Sequence, residues 1–263
     1  MISDDPVGFD ALQPGEVSPR ARETEDFNLL NPPQETGAQA DFTQSDTWRV
    51  LRIQSEFVHA FEKMWQVKRA VAIFGSARLP ESDPAYEMSR QVAEDFARAG
   101  WNIITGGGPG LMEAANRGAQ PIARAQGNKY GSIGLNIQVP FEQGTNPYVE
   151  TSLVFHYFFC RKTVFVKYAS AFVIFPGGFG TLDELFEAIT LVQTQKIAHF
   201  PIVLVGKEYW GGLLEWVRNT MLPRGTIGQR DLDLIYLTDD LDEVLSYVEE
   251  HTKPGQEPRI YAR

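Results

Sequence analysis

Short apolar runs alternate with segments of helical spacing through most of this chain. The runs that predict strands are residues 70–74, 101–105, 130–139, 152–157, 171–175, 201–205 and 235–238. Continuous apolar runs of this length are typical of parallel strands that are buried on both faces. The alternation therefore predicts the α/β class, with a single Rossmann-like, doubly wound parallel sheet and helices on both faces.

Apolar residues recur at helical spacing before the first run and between the later ones. The predicted helices span residues 48–64, 84–98, 111–126, 159–168, 181–195, 209–221 and 241–250. Glycine-bearing loops follow the first, second and fifth predicted strands. Because ligands of doubly wound sheets bind beyond the carboxyl ends of the strands, we expect these three loops to meet at one rim.

The charge of the chain is concentrated at its start. Residues 1–46 carry −8 of the formal net charge of −10, which leaves the remainder near neutral. We interpret residues 1–45 as a disordered acidic arm and residues 46–263 as one nucleotide-binding catalytic domain. Removal of the arm is then expected to leave fold and turnover nearly unchanged. In the alternative, Phe27, Leu29 and Leu30 dock on a neighbouring subunit as a short clamp.

Several function classes are excluded by composition. A near-neutral domain lacks the basic face that a nucleic acid polymer needs. The single cysteine, Cys160, cannot form an internal disulfide or a cysteine-based metal cluster, and the four histidines show no ligand spacing. We therefore expect no metal and no cofactor. No apolar run approaches the ~20 residues of a membrane span and the start is not a secretory signal, so we expect a cytoplasmic protein without membrane contact.

The loop Pro176-Gly177-Gly178-Phe179-Gly180-Thr181 lies where a predicted strand meets a predicted helix. Glycines at this turn let backbone N–H groups approach a ligand, and the helix terminus adds partial positive charge, so the loop is typical of a phosphate site. The second loop, residues 106–110, also opens a helix. It lacks the third glycine of a dinucleotide fingerprint, and neither loop has the lysine of a P-loop. Two such loops favour a mononucleotide ligand.

Charged side chains beside these loops admit two interpretations. Thr181 and Glu184 match a capping box, with Thr181 as N-cap and Glu184 at the third helical position. Alternatively, one of the two carboxylates Asp183 and Glu184 acts on the ligand; adjacent helical residues diverge by about 100°, so only one can face it. Arg161-Lys162, set among apolar residues, needs an anionic partner such as phosphate or Glu184.

Residues 176–184 resemble the Pro-Gly-Gly-x-Gly-Thr-x-x-Glu signature of the LOG ("lonely guy") family. These proteins are cytokinin riboside 5′-monophosphate phosphoribohydrolases that were formerly mislabelled as lysine decarboxylases. The resemblance extends to Gly75-Ser76-Ala77-Arg78, to residues 106–113 and to Arg161-Lys162. It covers residues 68–220, and the chain is similar to the longer bacterial members.

The resemblance implies hydrolysis of the N-glycosidic bond of a nucleoside 5′-monophosphate, which releases the base and ribose 5-phosphate. It assigns catalysis to Arg161 and Glu184. The residues that it assigns to substrate and phosphate binding are Gly75, Ser76, Gly107, Gly108, Met112, Glu113, Lys162, Gly177, Gly178, Gly180 and Thr181. It also implies a homodimer or a higher homo-oligomer. The base stays open between the adenine of AMP and a prenylated adenine. The alternative function is a non-catalytic nucleotide or molybdenum-cofactor binding protein.

Overall fold

The computed structural model describes residues 24–31, 45–139, 144–197 and 200–252. Within them, seven parallel strands form one sheet in the order β4-β3-β2-β1-β5-β6-β7. The strands are β1 (Ala70–Phe74), β2 (Asn102–Thr105), β3 (Ser132–Ile137), β4 (Thr151–Phe155), β5 (Ala171–Ile174), β6 (Ile202–Val205) and β7 (Tyr236–Thr238). The chain runs outward from β1 to β4, returns to β5 beside β1, and continues outward on the other side. The predicted doubly wound parallel sheet is confirmed.

Helices cover both faces of this sheet, as predicted. The helices are α1 (Glu25–Leu30), α2 (Asp46–Met64), α3 (Pro84–Arg98), α4 (Leu111–Ala125), α5 (Phe158–Tyr168), α6 (Phe179–Gln193), α7 (Lys207–Trp216) and α8 (Leu241–His251). Buried residues of α2, α5, α6 and α7 share one apolar core with the sheet. Buried residues of α3, α4 and α8 form the second core on the opposite face.

The strand β1 shows why the central strands have continuous apolar sequences. All five of its residues are buried. Because side chains alternate along a strand, Ala72 and Phe74 enter one core while Val71 and Ile73 enter the other. Burial of each large apolar side chain contributes about 1.5–3 kcal/mol. A polar residue on either face would therefore lie in a core, which explains the absence of alternation in the sequence.

Three helices begin two residues earlier than the sequence indicates, and the first of them is α2, which starts at Asp46. Helix α6 starts at Phe179 with Gly178 as its N-cap, two residues before the predicted start at 181. Helix α7 starts at Lys207, and its last turn continues as a π-helix over Val217–Met221. Glycine weakens a helix prediction, yet Gly180 adopts helical geometry here because α6 is packed on the sheet. A 3₁₀ helix at Gln229–Leu234 was not predicted.

Part of the predicted arm has structure of its own. Helix α1, from Glu25 to Leu30, begins at Thr24, whose hydroxyl accepts a hydrogen bond from the Phe27 N–H at 3.3 Å. Leu29 packs against the core of its own chain. A six-residue helix has little stability alone, so tertiary contacts hold it. Residues 1–23 and 32–44 lie outside the described residues, and the division at residue 45 stays a prediction.

The described helices also bear on membrane association. None of them combines the length and the apolar character that crossing a bilayer requires.

Candidate active site

The three glycine-bearing loops meet beyond the carboxyl ends of β1, β2 and β5. The Ser76 N–H donates to the Pro176 carbonyl at 2.9 Å, which joins the β1 loop to the β5 loop. The Leu111 N–H donates to the Ser76 carbonyl, also at 2.9 Å, which joins the β2 loop. Strands β1 and β5 are neighbours at the point where the strand order reverses. The loops therefore lie at the position where sheets of this topology bind ligands.

Buried polar side chains brace the β2 loop. The Asn146 N–H donates to the Gly107 carbonyl at 2.8 Å, and the Asn146 side-chain amide donates to the Gly108 carbonyl at 3.0 Å. The Thr105 hydroxyl accepts from the Gly107 N–H at 2.9 Å. Gly107 has a φ of +72°, and a Cβ there would lie 3.2 Å from the Gly134 Cα. The loop shape thus depends on glycine and on Asn146, a residue that the sequence placed only in a polar loop.

The β5 loop presents an open surface at the start of α6. Tyr209 donates its hydroxyl to the Gly177 carbonyl at 2.7 Å and fixes the loop from α7. At Gly178 and Gly180, a Cβ would meet no described atom within 4 Å. No side chain caps α6, so the N–H groups of its first turn remain available to a ligand. This arrangement suits an anion such as phosphate.

The capping-box interpretation of Thr181 and Glu184 is wrong. Because the N-cap is Gly178, Thr181 occupies the third helical position and Glu184 the sixth, beyond the first turn. Thr181 is buried and packs against Gly177, where an added Cβ would collide with it. The Asp183 side chain is 58% exposed, whereas that of Glu184 is 9% exposed. As predicted, only one of the two faces inward, and it is Glu184.

Glu184 is a buried carboxyl with unused hydrogen-bonding capacity. Its Oε2 has no hydrogen-bond partner among the described residues, and its Oε1 lies 3.9 Å from Lys162 Nζ. Burial raises the pKa of Glu184 to about 7, against the lowering effects of Lys162 and Arg161. Near neutral pH, this carboxyl therefore exchanges a proton readily, as acid and base groups in active sites do.

Lys162 is shared among three carboxylates. Its Nζ lies 2.9 Å from Asp183 Oδ2 and 2.8 Å from Glu187 Oε2, closer than to Glu184. Burial lowers the pKa of Lys162, but the hydrogen bonds to Glu187 and Asp183 outweigh it, so the pKa lies above its ordinary value. Lys162 is therefore a cation that Asp183 and Glu187 hold beside Glu184. It makes no short ion pair with the Glu184 carboxylate itself.

Arg161 lies against the β2 loop. Its Nε donates to the carbonyl of Leu135, a residue of β3, at 2.8 Å. A Cβ on Gly106 would lie 2.6 Å from both Arg161 Nη2 and Met112 Sδ, so these two side chains fill the space beside that glycine. Burial lowers the pKa of Arg161, and Glu184 opposes this effect. The guanidinium is thus a partly desolvated cation coupled to Glu184.

The other predicted site residues pack within the loops or form hydrogen bonds near them. Gly75 lies under Leu111, whose Cβ would be 2.8 Å from a Cβ at that position. The Ser76 hydroxyl accepts a hydrogen bond from the Arg78 N–H at 3.0 Å and so closes its own turn. A Glu113 oxygen lies 3.5 Å from the Tyr86 hydroxyl on α3. The structure thus gathers Arg161, Lys162, Met112 and Glu184 around the glycine loops and gives Glu113 a partner on α3.

Among the described residues, no three His, Cys, Asp or Glu side chains are grouped as metal ligands.

The doubly wound parallel sheet, with glycine loops at its reversal point, defines the Rossmann-like class of nucleotide-binding folds. A solved structure of the same fold is the molybdenum cofactor binding protein from the phototrophic bacterium Rippkaea orientalis. It matches with a TM-score of 0.51 and 18% identity, over 70% of this chain and 98% of that one. A family model described as "Possible lysine decarboxylase" matches residues 112–248, and the chain belongs to this family, to which the LOG signature points.

Curated proteins that are similar to this chain in sequence are named for activity on nucleotides. The pyrimidine/purine nucleotide 5′-monophosphate nucleosidase of Escherichia coli K12 is 29% identical over 57% of this chain. The match spans only 35% of that relative's length. The cytokinin riboside 5′-monophosphate phosphoribohydrolase of Mycobacterium tuberculosis is 29% identical over 66% of this chain and 90% of its own length.

Proposed function

We propose that this chain is an N-glycosyl hydrolase that cleaves nucleoside 5′-monophosphates into free base and ribose 5-phosphate. The observation that carries the proposal is the buried Glu184 carboxyl beside an open anion-binding loop. It has a pKa of about 7, an oxygen without a hydrogen-bond partner among the residues that the structure describes, and Arg161 and Lys162 as neighbours. The names of the relatives support the same reaction class.

The proposed ligand spans the first turns of α6. Its phosphate accepts hydrogen bonds from the N–H groups of residues 179–180, which lie about 6–8 Å along the helix axis from Glu184. That length suits a ribose 5-phosphate. The anomeric carbon of the ribose then lies near the carboxylate, while the base extends beyond it.

Cleavage of the glycosidic bond gives the ribose oxocarbenium character. The bonding electrons leave with the base, water attacks the anomeric carbon, and Glu184 accepts the proton that the water loses and passes it to the departing base. An ionised Glu184 stabilises the developing positive charge and orients the water. Arg161, fixed by Leu135, holds the phosphate or the departing base. The open Oε2 of Glu184 is the atom that can contact the ribose or the water.

This arrangement is less suited to a passive nucleotide or cofactor binder. A carboxylate beside an anion site repels the anion that the loop attracts, and burial of Glu184 costs free energy. A binder would gain affinity without it. The placement of Glu184 is therefore explained by an action on a part of the ligand that becomes positively charged.

We also propose that the protein forms a homodimer or a higher homo-oligomer. Four large apolar side chains are exposed on α5 and α6, the helices that carry Arg161 and Glu184: Phe158, Phe159, Phe179 and Phe186. Exposed apolar surface of this kind is typical of an interface. The cytoplasmic location and the base preference stay predictions.

Incubation with a panel of nucleoside 5′-monophosphates, followed by chromatography for free base, tests the function. We expect base release by wild type, none by Glu184→Gln with nucleotide binding retained, and weaker turnover and binding by Arg161→Ala. Adenosine should be a poor substrate because it lacks the phosphate. Normal turnover by Glu184→Gln would contradict its catalytic role, and equal cleavage of adenosine and AMP would contradict the phosphate site.

A further inference from the structure

Helix α5, which carries Arg161 and Lys162, receives its cap from a distant part of the chain. The side chain of its N-cap residue, Tyr157, makes no capping hydrogen bond to the helix. Instead, Asp26 of α1 accepts a hydrogen bond from the Phe158 N–H through Oδ2, at 3.1 Å. A carboxylate at this position satisfies one of the unpaired donors of the first turn and interacts favourably with the helix dipole.

Several contacts hold α1 in place for this role. Glu25 accepts a hydrogen bond from the Tyr157 hydroxyl at 3.1 Å, next to the capped turn. It also pairs with Arg52 at 3.2 Å and lies 3.8 Å from Arg49, which is 1% exposed. Leu29 adds apolar packing against the core. Polar and apolar contacts thus seat α1 on the start of α5.

The capped turn is also the turn that presents Arg161. The Arg161 N–H donates to the Tyr157 carbonyl at 3.3 Å, which is the first backbone hydrogen bond of α5. The Arg161 side chain then reaches the Leu135 carbonyl and the β2 loop. If the first turn frays, the guanidinium loses the backbone geometry that directs it toward Glu184.

We propose that Asp26 is a positioning residue for the hydrolysis: it caps the first turn of α5 and thereby holds Arg161 in its place beside Glu184. This inference rests on the proposed function and deepens it. It assigns to the N-terminal segment a role in catalysis without any contact between α1 and the substrate.

Three variants test the inference. Asp26→Ala removes the acceptor, whereas Asp26→Asn keeps a side-chain oxygen that caps equally well. Asp240→Ala is the matched control, since Asp240 caps α8, another 11-residue helix, by accepting from the Asp242 N–H at 3.0 Å. We expect kcat for AMP to fall about tenfold or more in Asp26→Ala, because small misplacement of a catalytic group is costly. Asp26→Asn should stay within about twofold of wild type.

The control separates positioning from simple destabilisation. Asp240→Ala should lower Tm about as much as Asp26→Ala while leaving kcat unchanged. Hydrogen exchange over residues 157–164 should accelerate in Asp26→Ala only. Equal kcat in Asp26→Ala and Asp240→Ala, or loss of kcat in Asp26→Asn, overturns the inference.

Failure of the proposed function has a different signature. A wild-type protein that releases no base from any nucleotide overturns the hydrolysis and the catalytic part of the inference together. Exchange over residues 157–164 then still decides whether Asp26 caps α5, because that measurement needs no turnover.

Discussion

Two opposing effects act on the pKa of Glu184. Burial favours its neutral form, while Lys162 and Arg161 favour the carboxylate. Burial is the larger effect, so ionisation of Glu184 destabilises the folded state. Two consequences at the scale of the residue can be measured.

The first concerns stability. The pKa of Glu184 is 4.5 in the unfolded chain and about 7 in the fold, so between these values the native state binds more protons. The contribution of Glu184 to the free energy of unfolding is therefore fully present below pH 4.5 and is lost as pH rises through 7. Glu184→Gln should be more stable than wild type by about 1–3 kcal/mol at pH 8, with little difference at pH 4.5. Urea denaturation at both pH values measures this, and a difference that does not change with pH would contradict it.

The second concerns the pH dependence of activity. If ionised Glu184 is the active form, kcat/KM rises with pH through about 7. Lys162 lowers the pKa of Glu184, so Lys162→Met should move this limb to higher pH. Pre-steady-state or initial-rate profiles from pH 5 to 9 measure the shift, with Lys167→Met on the exposed side of α5 as the control. A limb that falls with rising pH would show that the protonated form is active instead.

At the scale of the element, the glycines of the loops have two different roles: some are required by the backbone conformation, and others leave space for a ligand. Gly107 is required by its positive φ and by the closeness of Gly134, whereas Gly178 faces open space. Gly107→Ala should cost about 1–2 kcal/mol in stability, because left-handed backbone is unfavourable for alanine. Gly178→Ala should change stability by less than about 0.5 kcal/mol and still lower turnover, since its methyl group enters the ligand space. Thermal unfolding and AMP cleavage, measured on both variants, distinguish the two cases; full activity in Gly178→Ala would place the ligand elsewhere.

Helix α1 changes what is expected of a truncation. The sequence predicted that removal of residues 1–45 has little effect, but Glu25 and Asp26 contact residues 157–158 and Leu29 enters the core packing. Removal of residues 1–45 should therefore lower Tm by more than about 5 °C, and removal of residues 1–23, which keeps α1, should not. Differential scanning calorimetry on the two truncated chains makes the comparison. Equal Tm values would show that α1 contributes nothing to stability.

For the whole molecule, we expect association through the exposed aromatic side chains of α5 and α6. Phe179 is 92% exposed, beside the open loop, and Phe159 lies exposed on α5. Sedimentation at micromolar concentration should show a species of at least twice 29.5 kDa. Phe159→Ser with Phe179→Ser should shift it toward the monomer, whereas Trp65→Ser, at an exposed aromatic residue that ends α2, should not. A single species of monomer mass in the wild type would contradict the proposed oligomer.

Much of the fold could be predicted because its determinants are local. Buried strands need continuous apolar runs, and helices need periodic apolar faces, so both appear in the order of residues along the chain. The loop glycines at 106–110 and 177–180 are likewise visible, since turns that approach a ligand exclude side chains. These signals sufficed for the sheet, its two covered faces and the rim at which the loops meet.

Only the tertiary structure decided which polar groups from distant segments contact each other. Arg161 meets Leu135, Asn146 meets Gly107, and Asp26 meets Phe158 across segments that no spacing rule connects. The role of Glu184 also depended on the true start of α6, which capping preferences misplaced because packing on the sheet outweighs helix propensity. Local physics therefore determines the elements, whereas the pKa of Glu184 and the cap of α5 arise from burial and contact, which exist only once the chain has folded.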